Sequence, residues 1–384
     1  MKKLIIAKIL LIFLLIFKIN FASAADEKFS LKVKNPITNL DGLGVNSITL
    51  WSGGSAISPN NPNFLKHYKN LSDYGFKYVV LVSCADWIID LNCKRGFQNK
   101  NNVIKGTKLI LDNTDLHVIV QLKAYSQKKI DGSNISELNS QLEKNEEVAK
   151  KFKQTWIDIS NELKQYSKDR LSFNLLNEPE FEKPKPTKKK RDKWLSIAKD
   201  TAIAIREVSP DRVIIIEGIK KSLFASRKKG SYRYNMETLL TPIDMDNIIY
   251  AFHNYEPEEF LQQGKFIKKT GRAYKKKYTK MVKKDAQRMI KWANKHNVPV
   301  MLTETGCVGY FNDHGKREGP KTNEDCGKFA ADIKKFYIDN GIGVAWWSLE
   351  KEKTIYNRDC DKDCFLPRKL IPNKALFEGF GLNF

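Results

Sequence analysis

The chain has 384 residues, 41% of them hydrophobic and 29% charged, with a formal net charge of +23. That apolar content supports a sizeable core and excludes wholesale disorder, which requires a chain poor in apolar residues. The charge is lysine scattered along the whole sequence without a zinc-finger, RNA-recognition or helix-turn-helix pattern. Nucleic-acid binding is therefore not expected; a solvated lysine face is the reading taken, and electrostatic association with acidic polymers or anionic surfaces is the alternative.

The first element is a leader. Lys2 and Lys3 precede an apolar run over 4–17, broken by Lys8, and Ala22-Ser23-Ala24 follows as a small-x-small cleavage pattern. The run falls short of the roughly 20 apolar residues that cross a bilayer. Residues 1–24 are thus expected to be a signal peptide and 25–384 the mature domain, secreted to an extracellular or periplasmic compartment. An uncleaved anchor is the competing reading. The leader holds four lysines and no acid, so removing it takes the formal +23 to +19.

Eight short β-rich runs then recur, predicted as strands over 43–48, 78–83, 117–122, 171–176, 212–217, 248–253, 299–304 and 343–348. Most are continuously apolar, as strands covered on both faces are. Between them lie predicted helices over 64–73, 145–167, 193–208, 274–295 and 323–340. The second carries Val148, Phe152, Trp156, Ile159 and Leu163 at helical spacing. Eightfold alternation of strand and helix implies a closed (β/α)8 TIM barrel. There is no Ser-, Thr- or Gly-rich linker, so one domain is expected, as a monomer.

Six cysteines follow the leader: Cys84, Cys93, Cys307, Cys326, Cys360 and Cys364. An even count in an exported chain points to disulfides, and six cysteines allow 15 connectivities. The short-range set 84–93, 307–326 and 360–364 is the pairing expected, each bridge bracing one loop. The spacing is not that of a structural zinc site.

In such a barrel the chemistry sits at the C-terminal ends of the strands. Strand 4 closes on Asn177-Glu178-Pro179, with Pro179 biasing Glu178 toward an extended backbone. Strand 7 closes on Thr303-Glu304-Thr305-Gly306. Strands 4 and 7 face each other across an eight-stranded barrel, and two opposed carboxylates are what glycoside hydrolysis needs. One acid protonates the leaving oxygen, while the other carboxylate answers the oxocarbenium ion from the opposite face. A separation of about 5–5.5 Å lets the second attack directly, with retention. The acid requires a raised pKa, which burial and a negative neighbour supply. Glu178 is assigned as acid/base and Glu304 as nucleophile. Strand 6 adds His253 and Tyr255 on one face, the tyrosine hydroxyl as a candidate to bond Glu304 and His253 as a candidate either to orient the acid or to bind sugar. Strand 8 carries Trp346 and Trp347. One should pack into the wall and the other, taken as Trp347, should offer its ring to sugar. Trp51 and Trp87 are weaker platform candidates.

These motifs resemble glycoside hydrolase family 5, the cellulase-like family of clan A. Asn177-Glu178-Pro179 is similar to its acid/base motif, His253-x-Tyr255 to its strand-6 motif, Glu304-Thr305-Gly306 to its nucleophile motif and Trp347 to its strand-8 tryptophan. The resemblance spans the mature chain in order. It implies a retaining endo-acting β-glycosidase acting on a β-linked polysaccharide or oligosaccharide of the glucan or mannan class; no cofactor is expected, because two carboxylates suffice for this chemistry. It also implies that Asn177 contacts the sugar hydroxyl beside the nucleophile. Two departures stand out. The family commonly ends strand 2 with an arginine, where 79–83 has none, and strand 3 with Asp-x-His, where Gln121-Leu122-Lys123 stands. Lys123 is therefore a candidate to bind substrate or replace the missing charge. The competing readings are a catalytically impaired sugar-binding barrel and a basic surface-interaction protein. The first binds a β-glycan without cleaving it. Binding by the second collapses at raised salt and survives loss of Glu304.

Overall fold

Runs of Val, Ile and Leu become strands here because helices cover one face of each and the barrel interior covers the other. A computed structural model describes residues 30–48, 59–61, 63–93, 99–130, 133–181, 187–219, 233–234, 242–263, 267, 269–308, 319–350, 354–357 and 370–383. The barrel strands are β1 (Leu43–Ser47), β2 (Tyr78–Cys84), β3 (His117–Lys123), β4 (Leu171–Asn177), β5 (Val213–Glu217), β6 (Ile248–Asn254), β7 (Val300–Thr305) and β8 (Gly343–Trp347). Neighbours in sequence pair in parallel, and β8 returns to β1, so the sheet closes. This is the (β/α)8 barrel that the alternation implies. All eight predicted strands are present, with no end shifted by more than one residue.

The helices are α1 (Phe64–Asp73), α2 (Lys100–Asn113), α3 (Glu137–Lys144), α4 (Glu146–Leu163), α5 (Lys188–Val208), α6 (Glu258–Leu261), α7 (Lys276–His296), α8 (Asn323–Phe336) and α9 (Lys374–Phe380). Caps move several predicted boundaries. Asn145 is the N-cap of α4, not its first residue, and accepts the Glu147 N–H. Thr187 caps α5, so that helix starts at Lys188 and takes in the whole basic run. Such side-chain caps are each worth about 1 kcal/mol. α8 ends at Phe336, and a separate 3-10 turn over Ile338–Asn340 carries the chain to the left-handed Gly341. Among the described residues no helix is long and apolar enough to cross a membrane. The expected leader lies outside them.

Two apolar layers result. Inside the barrel Ile37, Leu40, Tyr78, Val80, Val82, Ile119, Val213, Ile215, Ile249, Ala251, Met301 and Ala345 form one cluster. The other lies between sheet and helices. There Val148, Phe152, Trp156, Ile159 and Leu163 of α4 are buried, as their spacing requires. Two glycines permit the inner packing: a β-carbon on Gly44 would lie 2.2 Å from the Tyr78 ring, and one on Gly343 would lie 1.7 Å from the Leu40 carbonyl oxygen.

Cys84 bonds Cys93 and Cys307 bonds Cys326. The first bridge ties the end of β2 to its loop, and the second ties the segment after β7 to α8. Cys360 and Cys364 lie outside the described residues, as do Trp51 and most of the long connection after β5.

Candidate active site

The C-terminal rim of the barrel is polar because the inward side chains change character near the strand ends. Asn46, Gln121, Asn174, Asn177, Glu217, His253 and Glu304 are all buried there. Each needs a polar partner in that setting: Asn46 donates to main-chain carbonyls of β7 and β8, and the other six connect through Glu217, His253 and Glu304.

β-Bulges aim the two carboxylates. Between the Gln121–Asn174 and Lys123–Asn177 pairs, β4 advances three residues while β3 advances two. Between the Leu302–Phe252 and Glu304–His253 pairs, β7 advances two while β6 advances one. The extra residue kinks each strand and re-aims the side chain that follows. Asn46 Nδ2 reinforces the second bulge by donating to the Thr303 carbonyl at 2.9 Å.

Glu304 is buried and its oxygens are divided between two donors. Asn177 Nδ2 donates to Oε1 at 2.8 Å and the Tyr255 hydroxyl donates to Oε2 at 2.9 Å. Lys123 Nζ lies 3.8 Å from Oε1 and 4.8 Å from the centre of the Trp347 ring. The ammonium is thus held between a carboxylate and an aromatic face. One oxygen of Glu178 and one of Glu304 lie within 4.8 Å of each other, with His253 between them. His253 Nδ1 is 2.9 Å from Glu178 Oε1 and 3.4 Å from Glu304 Oε2. Burial alone would lower the His253 pKa. The charges of Glu217, 3.3 Å from Nε2, and of Glu304, with the hydrogen bond to Glu178, outweigh it and raise the pKa well above the ordinary imidazole value.

The backbone of Glu178 corrects one expectation. Pro179 favours an extended residue before it, yet Glu178 has φ 50°, in the left-handed region that non-glycine residues seldom occupy. A long-range bond offsets the local preference: the Glu178 N–H donates to Glu217 Oε2 at 2.8 Å. Strain of this kind clusters at functional sites. Glu217 is also the site residue that the motif reading passes over, although Val213–Glu217 carries the same signature of a carboxylate closing an apolar strand.

The tryptophans divide as expected in position. Trp346 is buried against Phe329 and Phe380. Trp347 is half-buried at the rim. Trp87 packs against the outer core and donates its indole N–H to the Cys84 carbonyl at 2.7 Å, a structural placement.

A family model described as cellulase (glycosyl hydrolase family 5) matches residues 38–353. The chain belongs to glycosyl hydrolase family 5. Among curated relatives of this family 5 chain, Endoglucanase 3 of Fibrobacter succinogenes is 26% identical over 288 residues, 62% of this chain and 40% of that protein. The chain therefore spans less than half the length of that relative. Among solved structures, cellulose synthase subunit Z of Clostridioides difficile superposes with a TM-score of 0.63 at 20% identity, covering 88% of this chain and 99% of that one. Cel5A of Thermotoga maritima, solved with mannotriose, gives a TM-score of 0.61 at 19% identity, covering 89% and 98%. At these identities the structural likeness speaks for the fold.

Proposed function

We propose that this family 5 protein is a retaining, endo-acting β-glycosidase, with Glu178 as acid/base and Glu304 as nucleophile. The observation that carries the reading is the approach of the two carboxylates to within 4.8 Å at one rim of the barrel. That spacing leaves no room for a water between catalyst and sugar, so the near carboxylate attacks carbon directly.

In the first half-reaction, Glu178 gives its proton to the glycosidic oxygen while Glu304 bonds to the anomeric carbon. In the second, Glu178 takes a proton from water, which displaces Glu304 and restores configuration. Tyr255 and Asn177 keep the Glu304 oxygens aimed, one donor to each oxygen. Lys123 supplies positive charge at the nucleophile, where the sequence has no strand-2 arginine. This favours an active enzyme over an impaired sugar-binding barrel. The half-buried Trp347 is the proposed sugar platform. We assign the substrate to the β-glucan or β-mannan class. This rests on the family, on the endoglucanase relative, and on Thermotoga maritima Cel5A having been solved with both mannotriose and cellobiose. Export through the 1–24 leader is part of the proposal, and the two disulfides fit an oxidising compartment.

The test is a screen of soluble β-glucans and β-mannans with analysis of the product anomer. Early product carries the β configuration, and Glu304→Ala and Glu178→Ala each cut turnover by on the order of 10⁴-fold with melting temperature nearly unchanged. An α-configured first product, or either variant retaining wild-type turnover, contradicts the proposal.

A further inference from the structure

Glu217 is placed where it controls both members of the His253–Glu178 contact. Its Oε1 accepts from Gln121 Nε2 at 3.0 Å and Asn174 Nδ2 at 2.8 Å. Its Oε2 accepts the Glu178 N–H at 2.8 Å and lies 3.3 Å from His253 Nε2. Four nitrogen groups thus converge on two oxygens, an environment that matches an acceptor-only carboxylate. The other imidazole nitrogen meets Glu178 and Glu304. A neutral imidazole has one N–H donor, so a ring that faces acceptor oxygens on both sides, Glu217 Oε2 on one and Glu178 Oε1 and Glu304 Oε2 on the other, is matched only when both nitrogens carry protons.

We propose that Glu217 is a positioning residue that locks the left-handed turn of Glu178 and holds His253 as an imidazolium whose Nδ1–H is delivered to Glu178. This inference rests on the acid/base reading of Glu178. The groups facing His253 are Glu178 from β4, Glu217 from β5 and Glu304 from β7, with Tyr255 and Lys123 bonded to or beside Glu304. Their formal charges explain the design. Three carboxylates face one imidazolium and one ammonium, so a single proton on Glu178 brings the site to neutrality. Glu178 Oε1 then accepts from His253, leaving Oε2 to carry the proton toward the glycosidic oxygen. After transfer, the imidazolium stabilises the carboxylate that remains. The raised His253 pKa agrees with this arrangement.

The decisive experiment is a pH titration of nitrogen-labelled histidines in the full-length protein, with the His253 signal identified by its loss in His253→Gln. Among the described residues the other histidines, His67, His117 and His296, are shifted the other way, below the ordinary imidazole value, and the His253→Gln spectrum separates His253 from His314. His253 titrates well above the ordinary imidazole value in the wild type, and Glu217→Gln lowers its midpoint by about one unit or more. The same variant loses on the order of 10²-fold in kcat on an aryl β-cellobioside with a poor leaving group, and less on an activated one, as displacement of the general acid requires. A purely structural Glu217 would lower the melting temperature and both activities together while leaving the His253 midpoint unmoved, and that result overturns the proposal. A neutral His253 at pH 7 in the wild type overturns it too, whether or not the glutamine variant folds. A chain inert on every β-glycan removes the glycosidase reading, while the histidine titration still decides the role of Glu217.

Discussion

At the scale of single residues, the site is an exercise in placing charge. Lys123 stands 3.8 Å from Glu304 Oε1 and over the Trp347 ring. An opposite charge at that distance near a protein surface is worth up to about 4 kcal/mol before desolvation is counted. Lys123→Met should therefore lower kcat/KM by about tenfold or more, with Lys123→Arg retaining most of the activity; equal activity in the methionine variant would assign the lysine to the solvated surface. Glu178 and Glu304 are legible in the sequence because each closes an apolar strand. Glu217 closes one in the same way, between Val213–Ile216 and a loop, yet nothing local separates a proton donor from the residue that orients it. That distinction lies in contacts with Gln121 and Asn174, far away along the chain. The left-handed Glu178 is illegible for a related reason: Pro179 argues for an extended backbone, and a hydrogen bond from another strand overrules it.

At the scale of elements, strand identity was written in continuous apolar runs and strand pairing in their order, whereas the bulges in β4 and β7 were not. A bulge adds one residue to a run without altering its hydrophobicity, so only pairing reveals it. Helix α2 carries Val103, Ile104, Thr107, Ile110 and Leu111 at helical spacing, a signal diluted by the weak helix formers Asn101, Asn102 and Gly106, which tertiary packing and the Asn99 cap offset. The inner barrel layer is intolerant of added atoms at its closed end. Gly343→Ala would drive a β-carbon to 1.7 Å from the rigid Leu40 carbonyl. The expected cost is about 3 kcal/mol or more, read as a drop in the urea midpoint, and an unchanged midpoint would show that the first strand shifts freely against the last.

At the scale of the whole molecule, stability should depend on acid through histidines remote from the rim. His117 is fully buried between the Asp169 carbonyl and Ser172 Oγ, and burial lowers its pKa from 6.5 to about 4. His67 is likewise lowered to about 4 by burial and by Lys66. A folded pKa below the unfolded one means that stability is intact above pH 6.5 and is lost as the pH falls through 6.5 toward 4. For His117 the loss approaches about 3 kcal/mol. Urea unfolding of the wild type and His117→Gln at neutral and mildly acid pH should show a shallower pH dependence in the variant, and identical slopes would contradict the assignment. The account as a whole depends on Glu304 forming a bond to sugar. A fluorinated β-glycosyl fluoride that traps the glycosyl-enzyme, followed by peptide mapping, measures this directly. The adduct is expected on Glu304. Steady turnover with no trapped intermediate, or an adduct on Glu178 or Glu217 instead, would contradict it.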